Sequence, residues 1–98
     1  AGVVLPAQAV HGVTQGPRLE TAAEIQRLVR DGCDIVGMTG MPEAALAREA
    51  GLDYACLGVV VNWAAGIGEG DIHAEIAESI EQGVSQVLAL LSALVRAE

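Results

Sequence analysis

The sequence predicts an α/β fold. Two observations carry it. Short apolar, β-prone runs alternate with segments of helical periodicity along the chain, and one run, residues 53–61, is almost unbroken in apolar residues, as in strands buried on both faces of a sheet. A third, the amphipathic stretch from about Asp71 to Arg96, predicts a long terminal helix.

Residues 2–5 and 8–14 are β-prone, with Pro6 between them, and Gln15-Gly16-Pro17 reads as a turn. Thr21-Ala22-Ala23-Glu24 has the form of a capping box, in which the threonine hydroxyl serves the first free amides and the glutamate reaches back. Behind it Ala22, Ile25, Leu28 and Val29 form one stripe, and Gly32 ends the helix. Residues 34–38 predict a short strand. Thr39-Gly40-Met41 leads out of it, and Pro42 and Glu43 suit the first turn of a second helix ending at Gly51. Residues 53–61 predict the third strand and residues 62–70, with three glycines, a loop. On the terminal helix, Ile76, Ile80, Val84, Val87, Leu91 and Leu94 form the expected buried stripe. Three helices can hardly cover a central strand this apolar, so the expectation is a piece of a larger fold.

Composition narrows the function. The 98 residues are 52% apolar, rich for a small independent domain, and begin with Ala1. The net charge of −8, with five arginines and no lysine, argues against nucleic acid and anionic membrane as partners. Absence of lysine removes Schiff-base chemistry and the P-loop lysine from this stretch. No apolar run reaches the roughly 20 residues that cross a bilayer. Cys33 and Cys56 lack CxxC spacing, so neither a metal site nor a disulfide is expected, and a reducing cytoplasm is the simpler location. Gly66-Ile67-Gly68-Glu69-Gly70 lacks the context of a dinucleotide loop.

Ligands of open α/β sheets bind beyond the carboxyl ends of the strands. Three loops belong there: residues 16–21, 38–42 and 62–70. Read alone, their polar residues fit turns and caps: Thr39 at a turn, Asn62 within a loop, Glu20 on the surface or at a helix start, Met38 filling space at a strand end. Arg18, the only cation near these loops, suits either a carboxylate partner or a phosphate. His11 reads as a surface or strand-edge histidine.

Three segments change the weighting. Gly16-Pro17-Arg18-Leu19-Glu20-Thr21, Val36-Gly37-Met38-Thr39-Gly40-Met41-Pro42-Glu43 and Val61-Asn62 occur in order. Over roughly residues 10–80 they resemble the purine nucleoside phosphorylase and methylthioadenosine phosphorylase family, closest to its methylthioinosine and 6-oxopurine members. The resemblance implies a three-layer α/β phosphorylase-type fold, of which residues 1–98 are the C-terminal part of one domain, with mixed-sheet strands, a long terminal helix and the N-terminal half absent. It implies phosphorolysis: phosphate attacks the anomeric carbon and the purine leaves with developing negative charge. The substrates are then a purine nucleoside and inorganic phosphate, with no cofactor and no metal, in a cytoplasmic homotrimer or hexamer.

The same resemblance distributes roles. Met38 packs on ribose and base, with Val36, Trp63, Ala64 and Ile76 completing the substrate pocket. Thr39 donates to phosphate. Asn62, the catalytic residue, faces N7 and O6 of the purine. Family members acting on 6-amino purines usually have Asp there, with a second Asp where this chain has Ala64. Glu20 matches the residue that accepts from N1–H of a 6-oxopurine, where methylthioadenosine enzymes have Ser. Leu19 replaces the usual Phe and packs on a ring face with less stacking. His73 matches a histidine that contacts the 5′-hydroxyl, whereas a shift of one residue puts Ile72 there and restores a methylthio preference. The main phosphate residues of the family, in its N-terminal half, have no counterpart here. A catalytically incomplete binding or assembly fragment, and a non-enzymatic α/β domain, therefore stand beside the enzyme reading.

Overall fold

A computed structural model describes residues 8–68 and 70–96. Its elements run β1 (His11–Val13), α1 (Ala22–Arg30), β2 (Ile35–Gly37), α2 (Glu43–Glu49) and α3 (Ile72–Arg96). The architecture is α/β. The strands β1 and β2 pair in parallel, with His11 opposite Ile35 and Val13 opposite Gly37. The Thr14 amide extends the ladder by donating to the Gly37 carbonyl at 2.8 Å. At the other end the Asp34 carboxylate accepts from the Val10 amide at 2.8 Å and fixes where β2 begins. The β-prone residues 2–5 lie outside the described residues.

Helix α1 forms where local signals place it. The Thr21 hydroxyl accepts from the Glu24 amide at 3.1 Å, and Glu24 Oε1 accepts from the Thr21 amide at 2.8 Å. Each satisfies an amide that the first helical turn leaves unpaired. At its end Gly32 takes a left-handed φ of +88°, while the Gly32 and Cys33 amides donate back to Val29 and Leu28. Gly51 ends α2 in the same way, with φ +71° and bonds from Gly51 and Leu52 to Arg48 and Ala47. Pro42 stands at the cap position just before α2.

The core is thin. Among the described residues Ile25 of α1 is the buried hydrophobic side chain, 3% exposed. Beneath α1 lies Gly12 of β1. A Cβ there would meet Cys33 Sγ at 2.8 Å and Leu28 Cδ2 at 3.4 Å, so the strand approaches the helix end only because the residue is glycine.

Two expectations need correction. Residues 53–61 form no strand. Apolar content marks a segment that fits between two layers, and no described strand pairs with it, so Tyr54, Leu57 and Val60 are exposed. The segment instead passes α3, where Gly83 lets Val59 press onto the helix backbone. The second correction follows from that contact. The half-buried face of α3 carries Ile76, Ser79, Gly83, Val87 and Leu90, set by the glycine. The expected stripe lies partly beside it, and Ile80, Val84, Leu91 and Leu94 remain exposed.

Candidate active site

Parallel pairing puts the carboxyl ends of β1 and β2 side by side, and with them the first two candidate loops. They touch. Gly16, at φ +67°, presents a bare Cα to Met38, whose Sδ lies 2.6 Å from where a Cβ would stand. Across the same turn the Thr14 hydroxyl donates to Glu20 Oε2 at 2.6 Å, and it lies 3.5 Å from the Gly37 carbonyl. Glu20 is half-buried, so its carboxylate is held at the strand ends rather than loose on the surface. Leu19 beside it is exposed.

The neighbouring cation is spent elsewhere. Arg18 donates to both oxygens of Glu24, at 2.8 and 3.1 Å. This hydrogen bond, with the Thr21 amide, lowers the Glu24 carboxyl to about 2 and raises Arg18 from its ordinary value. Of its two possible roles, Arg18 takes the carboxylate partner.

A second group lines a cleft of about 430 Å³ between β2, α1 and residues 56–64. Val36, Thr39, Asn62, Trp63 and Ala64 all face it. Much of the wall is apolar, from Ile25, Leu28, Ile35 and Val59. The Asn62 amide donates to the Trp63 carbonyl at 2.7 Å, which steadies the loop. A primary amide carries a second N–H and a carbonyl oxygen, so Asn62 keeps a donor and an acceptor for a ligand. The Trp63 indole is 64% exposed and covers Gly68, where a Cβ would collide with it.

His73 and Ile76 sit in the first turns of α3 and do not line this cleft; nor do Leu19, Glu20 and Met38. The groups are nevertheless tied together. Glu75 Oε2 accepts from the Trp63 amide at 3.0 Å, joining the start of α3 to the Asn62 loop. Asp71 Oδ1 accepts from the His73 amide at 3.0 Å and caps the helix. At Gly66, φ +79°, the same loop passes 2.8 Å from the Ala22 methyl, counted from a Cβ built on the glycine, and so lies against the helix that Glu20 leads into. His73 itself is exposed and Ile72 half-buried.

Sequence reasoning missed three residues. Thr14 and Glu75 hold Glu20 and the Trp63 amide, and each is an ordinary polar residue until the chain folds. His11 is the first residue of β1, which agrees with the strand-edge alternative, but it is half-buried and its place in the cleft was not foreseen. Its ring lies over Gly37, with Nε2 2.7 Å from a Cβ built there, and it lines the cleft. A glycine on the paired strand, two residues beyond His11's own partner Ile35, is the signal that could have placed it. Cys33 and Cys56 are both free thiols and line the cleft too. Among the described residues no cluster of His, Cys, Asp and Glu could hold a metal, and no helix is long and apolar enough to cross a membrane.

The chain is similar to several known proteins. The chain is 57% identical over 97 residues to a Xanthomonas campestris pv. campestris protein named "Probable S-methyl-5'-thioinosine phosphorylase", covering 97% of this chain and 39% of that protein. It is 62% identical over 88 residues to a Xylella fastidiosa protein of the same name, covering 88% of this chain and 36% of that protein. With a Pyrococcus furiosus 6-oxopurine nucleoside phosphorylase the identity is 43% over 83 residues, 84% of this chain and 31% of that protein. The chain thus spans less than two fifths of the length of these relatives. The family model for the phosphorylase superfamily matches residues 6–96, nearly the whole chain, and the chain belongs to that superfamily.

Proposed function

We propose that the protein containing this chain cleaves a 6-oxopurine nucleoside by phosphorolysis, with 5′-methylthioinosine as substrate, yielding hypoxanthine and methylthioribose 1-phosphate. Residues 1–98 are the C-terminal part of one three-layer, mixed-sheet phosphorylase domain. The exposed faces of α3 and of residues 53–61 support this, as does the greater length of the relatives. Phosphate is the co-substrate, without cofactor or metal, in a cytoplasmic homotrimer or hexamer.

The observation that carries the base preference is Glu20, anchored by Thr14 at the carboxyl ends of β1 and β2. Oε2 accepts the hydrogen bond from the threonine hydroxyl. Oε1 has no side-chain or backbone donor among the described residues and is the acceptor for N1–H, which hypoxanthine has and adenine lacks. An acceptor that the bound base shields from water is left unpaired when the base lacks that hydrogen, and this rejects the 6-amino purine. Asn62 donates to N7 as charge builds on the leaving base. Val36, Met38, Trp63, Ala64 and Leu19 enclose base and sugar, Thr39 donates to phosphate, and Ile76 closes the 5′ end. The relatives with the higher identities are named for methylthioinosine, which favours an apolar 5′ pocket at Ile72. Inosine is the second reading, motivated by His73 at the adjacent position.

The test of base choice is the double variant Asn62→Asp with Glu20→Ser in the full-length protein. Its ratio of kcat/KM for methylthioinosine over methylthioadenosine is expected to fall by roughly 10²-fold or more. An unchanged ratio contradicts the assignment of both residues.

A further inference from the structure

The carboxylate assigned to base selection does not stand alone: among the described residues Thr14 is its hydrogen-bond partner, in a position well suited to hold it. Thr14 directly follows β1. Its amide bonds to the Gly37 carbonyl at 2.8 Å, so its backbone is part of the sheet. Threonine is branched at Cβ and has few rotamers, so a fixed backbone gives a hydroxyl with few places to point. That hydroxyl lies 2.6 Å from Glu20 Oε2 and 3.5 Å from the Gly37 carbonyl. It has one proton, and the short bond to an anionic oxygen takes it in preference to the long one to a neutral carbonyl.

Glu20, by contrast, is on the loop between Pro17 and Thr21, with a long side chain and no strand to fix it. Left alone, a glutamate in that place samples many rotamers, and an acceptor that wanders discriminates poorly between a base with N1–H and one without. Met38 resting on Gly16 closes the turn beneath the pair. Both residues are half-buried, so water competes less for the bond than on an open surface.

We propose that Thr14 is a positioning residue for base selection: its hydroxyl fixes Glu20 through Oε2 and leaves Oε1 as the acceptor for N1–H of a 6-oxopurine. Thr14 touches neither base nor phosphate and acts only through Glu20. The proposal rests on the phosphorylase reading above and adds a specificity residue to it.

Thr14→Val keeps the branched shape and removes the donor, and Thr14→Ser keeps the donor. Both are made in the full-length protein beside Glu20→Ser. The quantity read is the ratio of kcat/KM for a 6-oxopurine substrate over its 6-amino counterpart: methylthioinosine with methylthioadenosine, and inosine with adenosine. Thr14→Val is expected to lower that ratio roughly tenfold, and Thr14→Ser to stay within about twofold of the parent protein. A purely structural role lowers both substrates alike and leaves the ratio where it was. If Thr14→Val melts before assay temperature, Thr14→Ala against Thr14→Ser reads the same difference. A shifted ratio in Glu20→Ser with an unshifted one in Thr14→Val overturns the role of Thr14 and leaves the base assignment standing. An unshifted ratio in both overturns the assignment of Glu20 as well, and with it the proposal.

Discussion

Charged groups around the first loop divide the work between them. Arg18 and Glu24 neutralise each other at the start of α1, leaving Glu20 as the carboxylate turned to the strand ends. The Glu24 carboxyl lies at about 2 against an ordinary 4.5, first because Arg18 donates to it and then because the Thr21 amide does. A folded value below the unfolded one means that the stabilisation is complete above about pH 4.5 and is lost as pH falls towards 2. The pair is exposed, so the effect is small and weakens with salt. Glu24→Gln is accordingly expected to lower the urea midpoint of the full-length protein at about pH 6, with the difference from the parent vanishing as pH approaches 2; a difference independent of pH contradicts the ion pair as its source. Asn62 is the residue proposed to donate to the leaving base. Asn62→Ala is expected to lower kcat by roughly 10²–10³-fold, as loss of one transition-state donor does. Unchanged turnover removes Asn62 from the mechanism. The candidate residues were legible as types at spacings, but the bonds that hold them were not. Thr14 and Glu20 are six residues apart and meet only because a turn folds back, and Glu75 reaches Trp63 across a loop.

Elements were legible where the signal is local. The capping box of α1 and the glycines that end α1 and α2 act within five residues, so sequence alone locates them. Residues 53–61 were not legible in this way. Their apolar run records layers to be packed between, and within the described residues no strand pairs with them. The terminal helix shows both cases. Its start at Ile72 follows from the Asp71 cap, whereas its half-buried face follows from Gly83 meeting Val59, a contact that helical periodicity does not encode. Gly12 makes the sharpest test at this scale. Gly12→Val drives a side chain into Cys33 and Leu28, and is expected to destabilise the protein by roughly 1–3 kcal/mol. Chemical denaturation reads the change directly, and a neutral result means that β1 does not pack against the end of α1 as described.

At the scale of the molecule, the described residues carry a thin core and a large apolar exposure along α3 and residues 52–60, together with a cleft that Val36, Thr39, Asn62, Trp63 and Ala64 face. The α/β class and superfamily membership were both readable from short segments in order: the GPR and GMTGMPE segments follow the carboxyl ends of β1 and β2, while Val61 and Asn62 of the third segment line the cleft without ending a strand. The central claim, phosphorolysis of a 6-oxopurine nucleoside, is tested most directly by hypoxanthine release from 5′-methylthioinosine by the full-length protein, with and without inorganic phosphate and with inosine assayed in parallel. Release is expected to require phosphate and to be faster from methylthioinosine than from inosine. Faster release from inosine assigns the 5′ pocket to His73, and no phosphate-dependent release from either nucleoside contradicts the claim.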